Sequence, residues 1–211
     1  MEGVLAGSGR GQLMLGAPMP DWWKDFFDAD YIRLWDSFTA ERTATEADGL
    51  WQVLELYDGS RVLDAPCGYG RLSRPLAERG AVVLGVDQSE ALLQHAEGER
   101  GDLRAVQLRY KRHDLREPLG EKGFDAAINI FSSLGYGSEE DDLAILRNLR
   151  AALRPGARVG IIDRDGDGTD HGVNKSIVLH EADEAGYRLL AEHDDLVKED
   201  HVDYFLVLAV K

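Results

Sequence analysis

The chain has 211 residues, 44% of them hydrophobic, enough for one domain with a sizeable core. Its 39 acidic against 24 basic residues leave a formal charge of −15, a field that repels a phosphate backbone and disfavours nucleic acid as a partner. The single cysteine, Cys67, excludes an internal disulfide and a Cys-cluster metal site, and no apolar run of 18 residues is present to span a membrane. Without a continuous apolar stretch near Met1 no signal peptide is expected, and a cytoplasmic location follows as the expectation.

Residues 1–20 are rich in glycine and small residues, a composition costly to order, and are expected to form a flexible arm. The composition changes at Asp21. Trp23, Phe27, Tyr31 and Trp35 recur at every fourth position, the spacing of one helical face. A second helix is expected from about Thr45 to Asp58-Gly59. Short apolar strands then alternate with amphipathic helices. Strands are expected at 61–65, 81–87, 106–114, 124–131 and 158–163, with helices at 71–80, at 89–100 capped by Ser89, and from Ser138 to Arg154, where Pro155-Gly156 ends it. Such alternation predicts a buried parallel sheet. Two further strands, 187–193 and 201–210, are joined by only seven residues. A parallel crossover takes about a dozen or more, so these two pair antiparallel and put a reversed strand at the end of the sheet.

The chemistry lies in Val62-Leu-Asp-Ala-Pro-Cys-Gly-Tyr-Gly70, a glycine turn between strand and helix preceded by Asp64. A carboxylate there opposes a pyrophosphate and suits a ligand that brings a cation, while the glycines let it approach the backbone. Asp87 ends the next strand, where it can accept from both hydroxyls of a ribose, and Asp114 ends the one after. All three acids fall along the carboxyl edge of a parallel sheet, where such folds bind ligands.

On these segments the chain resembles the class I S-adenosylmethionine (SAM)-dependent methyltransferases over about residues 21–211. The resemblance rests on VLDAPCGYG, GVDQS, Asp114-Leu115, FDAAINIFSSLGY and LRNLRAALRPGARVGIID, in that order. It implies a doubly wound Rossmann-like α/β fold: a seven-stranded, mostly parallel sheet with a reversed last strand, helices on both faces and an N-terminal helical cap. It divides the chain into the arm 1–20, an aromatic cap at 21–58 and a SAM-binding core at 59–211. It implies that Gly68 and Gly70 pass under the methionine part, with Asp64 towards its ammonium. Asp87 takes the ribose hydroxyls, Gln88 flanks the adenine, Asp114 accepts from the adenine amino group and Leu115 offers its N–H. Asn129 and Ile130 lie beneath the sulfonium. Ala65, Tyr69 and His113 complete the set, with Tyr31 and Trp35 of the cap on the cofactor side.

The implied activity is methyl transfer from SAM to a small-molecule O, N or C nucleophile by in-line displacement, leaving S-adenosyl-L-homocysteine (SAH). Where the acceptor calls for a base, Tyr31, Tyr136 and His171 are the candidates. The chain is expected to act as a monomer or homodimer. Two other classes remain open at this point: a module that holds SAM without turnover, and an NAD-dependent oxidoreductase, which Asp64 and the reversed strand disfavour. Asp163-x-Asp165-x-Asp167-Gly168 resembles the start of a calcium loop, but Asn174 stands at the twelfth position and a strand precedes it. A solvated acidic loop is the favoured reading, and no metal is expected. Cys67 is read as a packing residue, and Arg164 and His171 as surface groups.

Overall fold

The structure, a computed structural model, describes residues 26–27, 39–131, 133–166, 172–193 and 203–211. Helix α1 (Ala40–Val53) opens with Thr39, whose side chain accepts from Arg42 N. Then follow β1 (Arg61–Asp64), α2 (Ser73–Glu78), β2 (Val82–Asp87), α3 (Glu90–Gly98), β3 (Leu108–Arg112) and β4 (Phe124–Ile130). The chain closes with α4 (Glu139–Ala152), β5 (Leu153–Arg164), α5 (Lys175–Glu184), β6 (Tyr187–Glu192) and β7 (Asp203–Val210).

The seven strands form one sheet in the order β3-β2-β1-β4-β5-β7-β6. The pairs β1–β2, β1–β4, β2–β3 and β4–β5 are parallel. Strand β7 lies antiparallel between β5 and β6, which is the reversed strand expected from the short 194–200 connection. Both faces are covered, so the central strands read as nearly continuous apolar runs. Val62, Val83, Ala126, Ile128 and Phe205 pack with Ala47 and Leu50 of α1 and Leu76 of α2. Leu63, Leu84, Ala127, Val159 and Leu206 pack on the other face with Ile145 and Leu146 of α4 and Val178 of α5. Strand order reverses between β1 and β4, which opens a crevice above their carboxyl ends.

Several boundaries differ from the sequence reading: α1 ends at Val53 rather than near Asp58-Gly59, α2 starts at Ser73, and β3 spans Leu108–Arg112, so Asp114 lies two residues past that strand instead of ending it. Helix α1 begins five residues before Thr45, at a cap the apolar pattern does not mark. Helix α4 stops at Ala152 rather than Arg154, and β5 starts at Leu153, opposite Phe124, before its register shifts to pair Arg158 with Ala126. Pro155 biases the residue before it towards extended backbone, so the helix yields early and Pro155-Gly156 sits inside the irregular start of the strand. Helix α5 occupies a stretch in which the sequence reading placed no element. Asn174, which counted against a calcium loop, is its N-cap and accepts from Ser176 N at 3.0 Å. The arm 1–20, the helical face carrying Tyr31 and Trp35, and His171 lie outside the described residues.

Candidate cofactor site

The glycine turn and the end of β2 are bonded into one unit. Gly68 N donates to Asp87 Oδ2 at 2.9 Å, and Ser89 N to Asp87 Oδ1 at 2.8 Å. Cys67 N donates to Val86 O at 2.9 Å, and Gly70 N to Cys67 O at 2.9 Å. Gly68 (φ +53) and Gly70 (φ +79) both take left-handed backbone. A Cβ on Gly70 would run into the Tyr110 hydroxyl, whereas a Cβ on Gly68 would meet nothing within 4 Å among the described residues. The Gly68 face is therefore bare main chain open to a ligand. Asp87 is 6% exposed, and burial raises its pKa above the ordinary carboxylate value.

Asp64 lies beneath this turn, 2% exposed, and accepts from Ser73 Oγ at 2.5 Å. Burial raises its pKa to about 7, against the lowering effects of the Ser73 bond and the Arg71 charge. Arg71 follows the turn and is held by Glu46 of α1 at 2.5 Å; Glu46 also takes Arg42 Nε at 2.8 Å. The described part of 21–58 thus includes a helix that packs on the sheet and steadies the glycine turn. Cys67 is buried, and burial pushes its thiol well above the ordinary value, as suits a packing residue.

From β4, fully buried Asn129 donates through Nδ2 to Ala65 O at 2.7 Å and to Ser133 Oγ at 2.9 Å. Its Oδ1 has no partner among the described residues. An unsatisfied buried acceptor costs about 1–3 kcal/mol, so this atom calls for a donor. The chain leaves β4 with Phe131 (φ +53) and Ser133 (φ +121) in the left-handed region, conformations found where a functional loop must be aimed. Ile130 is half-buried at this end.

The remaining candidates line the β2–β3 side. His113 N donates to the main-chain oxygen of Asp87 at 2.8 Å, which sets Asp114 one residue beyond this link to the end of β2. Asp114 accepts from Arg116 N, Nε and Nη2, so its carboxylate already has a cationic partner. His113 Nε2 lies 2.9 Å from Glu117 O, Leu115 packs against the core, and Gln88 O accepts from Arg112 Nε at 3.0 Å. Tyr69 stands edge-on to His95, 6.0 Å between ring centres. Tyr136, in the loop after β4, stacks on Phe27 with centroids 5.9 Å apart, and Phe27 O accepts from Ser89 Oγ at 2.6 Å. Phe27 therefore touches both the end of β2 and the loop after β4 at the carboxyl edge.

Sequence reasoning missed Ser73, Glu46, Arg71 and Ser133, whose parts depend on tertiary placement.

These residues fit a nucleoside with a cationic tail. Asp87 offers acceptors beside bare glycine backbone, Asn129 Oδ1 calls for a donor, and Asp64 is a buried carboxyl that a positive charge would relieve. Comparison with known proteins agrees. A methyltransferase-domain family model matches residues 62–156. Glycine N-methyltransferase of Rattus norvegicus is 30% identical over 67% of this chain and 54% of its own length. A 2-phytyl-1,4-naphtoquinone methyltransferase of Synechococcus elongatus is 34% identical over 70% and 59%. The chain spans somewhat over half the length of the curated relatives it matches. The crystal structure of magnesium protoporphyrin IX methyltransferase from Synechocystis PCC 6803 with bound SAH superposes with a TM-score of 0.72 at 19% identity, covering 90% of this chain and 98% of that one. With the strand order, the reversed β7, the glycine turn tied to Asp87 and the matched domain all in agreement, the chain belongs to the class I SAM-dependent methyltransferases.

Proposed function

We propose that the chain transfers the methyl group of SAM to an O, N or C nucleophile of a small molecule by in-line displacement. The observation that carries this reading is the Asp87 carboxylate bonded to the Gly68 N–H on the open side of the turn. Its remaining lone pairs suit two ribose hydroxyls, whereas a phosphate-bearing ligand would meet Asp64 and Asp87 as like charges.

In this reading Gly68 and Gly70 underlie the methionine part, with Ala65 and Tyr69 beside them. Asp64 and Asn129 Oδ1 face its ammonium, and Ile130 lies under the sulfonium. Gln88, His113, Asp114 and Leu115 border the adenine; Asp114 reaches an amino group by sharing its carboxylate with Arg116. The sulfonium supplies an already activated methyl group. The chain's contribution is then to hold the acceptor within about 3–3.5 Å in line and to exclude water. Phe27 and Tyr136 close the edge where an acceptor enters, and Tyr136 is the described candidate for taking its proton. A small acceptor is supported by the names of two relatives, a glycine N-methyltransferase and a 2-phytyl-1,4-naphtoquinone methyltransferase.

Calorimetric titration tests the reading. SAH is expected to bind and NADH is not; the reverse result would overturn the assignment. Binding of SAH with no SAH formed from SAM over a broad panel of acceptors would favour a holding module.

A further inference from the structure

The end of β5 turns a second set of polar groups into the sheet face that carries Asn129. Asp163 on β5 and Tyr204 on β7 are direct cross-strand partners, so both side chains leave the sheet on one side. Each is 3% exposed. Asp142 of α4 and Glu181 of α5, at 0% and 1% exposure, complete the surroundings from the helix layer. The negative charges of Asp163, Asp165, Glu181 and Asp142 all bear on the Tyr204 hydroxyl. Asp203 and Asp142 bear likewise on Asp163.

The groups differ in how they are satisfied. Asp142 Oδ2 accepts from Gly135 N at 2.9 Å. Among the described residues, Asp163 accepts from the neighbouring backbone, Arg164 N at 2.8 Å. The Tyr204 hydroxyl has no hydrogen-bond partner among the described residues. A buried tyrosine hydroxyl ordinarily finds one, and here the groups around it are acceptors. Arg164 moderates Asp163, but as the next residue in the strand its side chain leaves on the opposite face. An orphan hydroxyl aimed into buried carboxyls marks a place for a group that brings both N–H donors and positive charge.

We propose that this corner is a subsite for an organic cation, the alkylammonium or guanidinium group of the methyl acceptor, with Tyr204 Oη and the Asp163 carboxylate as its acceptors. Calling the ligand the acceptor rests on the methyltransferase reading above; the cation site itself rests on the side chains. Location supports the link. Asn129 pairs with Ile161, two residues before Asp163 on the same face, so the corner adjoins the cofactor side by one strand. An organic cation is preferred to a metal because no group of three or more His, Cys, Asp and Glu among the described residues could hold one. The overall charge of −15 draws cations towards it. Burial also raises the Asp163 pKa to about 8, so at neutral pH the carboxyl holds a proton that an incoming cation displaces.

The test uses the full chain saturated with SAH and titrated with n-butylammonium and n-butylguanidinium chlorides. Controls are n-butanol, butyrate and potassium chloride at matched ionic strength. At least one cation is expected to bind saturably and raise the Tm, with an enthalpy that varies between buffers of different ionisation enthalpy because a proton is released. Asp163→Asn is expected to weaken that binding at least ten-fold and abolish the proton release. Tyr204→Phe is expected to weaken it several-fold, with the SAH affinity of both variants kept. Binding no tighter than that of n-butanol, an equal effect of potassium chloride, or unchanged binding in Asp163→Asn each overturns the proposal. Failure of the wild-type chain to bind SAH counts against the methyltransferase reading alone, and cation binding to the free chain still decides the subsite.

Discussion

The Gly68 N–H and the Asp87 carboxylate are joined at 2.9 Å, so the turn after β1 takes its shape from a side chain at the end of β2. Asp87 thereby acts twice, first in setting the turn and then in offering its remaining lone pairs to a ligand. Asp87→Ala removes both. Loss of hydrogen bonds to a charged group costs about 1.5–3 kcal/mol, so SAH affinity is expected to fall about ten-fold or more, as read by calorimetry. An unchanged Kd would separate the ligand from this strand end.

The two glycines of the turn separate stability from binding. Gly70→Ala forces a Cβ into the Tyr110 hydroxyl at φ +79, and is expected to lower both Tm and SAH affinity. Gly68→Ala meets the left-handed backbone penalty, about 1–2 kcal/mol, with nothing within 4 Å among the described residues. On the proposed reading its new methyl group projects towards the ligand, so its SAH affinity is expected to drop further than its stability predicts. Equal behaviour of the two variants would mean that the open face of Gly68 is not the binding face.

The strand-end carboxylates Asp64 and Asp87 and the spacing of the last two strands were legible because each follows from local rules, whereas Asp114 lies two residues past the end of β3. Asp87 ends a short apolar run, and the 194–200 connection is too short for a crossover. Helix α5 was not legible. Its buried positions, Val178, Glu181 and Ala182, include a charged residue, which breaks the apolar stripe that marks a helix. The early start of β5 was hidden for a related reason: Leu153 extends the apolar pattern of α4 but pairs with Phe124. The bond from Ser73 to Asp64 depends on how α2 sits over β1, and no spacing rule encodes that.

Burial of Asp64 has a pH signature of definite sign. A carboxyl with a folded pKa of about 7, against an ordinary 3.8, binds its proton more tightly in the folded state. Between about pH 4 and 7 the folded chain therefore holds the extra proton, and stability falls as pH rises through that window, with a limiting slope of about 1.4 kcal/mol per pH unit for one proton. Asp163, at about 8, extends the decline upward. Glu121, Asp141 and Asp183 have lowered pKa values and lose their contribution only at more acid pH. The urea midpoint is expected to fall from pH 5 to pH 8, and Asp64→Asn to flatten the part below 7. A cationic ligand favours the ionised carboxylate, so SAH affinity is expected to rise with pH through 7 in the wild type but not in Asp64→Asn. A flat stability profile would contradict the burial of Asp64.

The Phe27–Tyr136 stack yields a prediction about access rather than folding. Tyr136 lies outside the two hydrophobic cores, and its ring contact with Phe27 is the kind worth about 0.5–1.5 kcal/mol. Tyr136→Ala is expected to lower Tm only slightly and to leave SAH affinity within a few-fold, because Gly68, Asp87 and Asn129 are untouched. It also removes the ring on which Phe27 stacks at the carboxyl edge. Protease cleavage near Phe27 is therefore expected to accelerate, with SAH protecting the variant less than the wild type. Once an acceptor is in hand, its KM is expected to rise more than kcat falls, with Tyr136→Phe restoring KM if stacking is the function and failing to restore kcat if the hydroxyl takes the acceptor's proton. A large loss of Tm in Tyr136→Ala, with cleavage and kinetics unchanged, would make the tyrosine a structural prop instead.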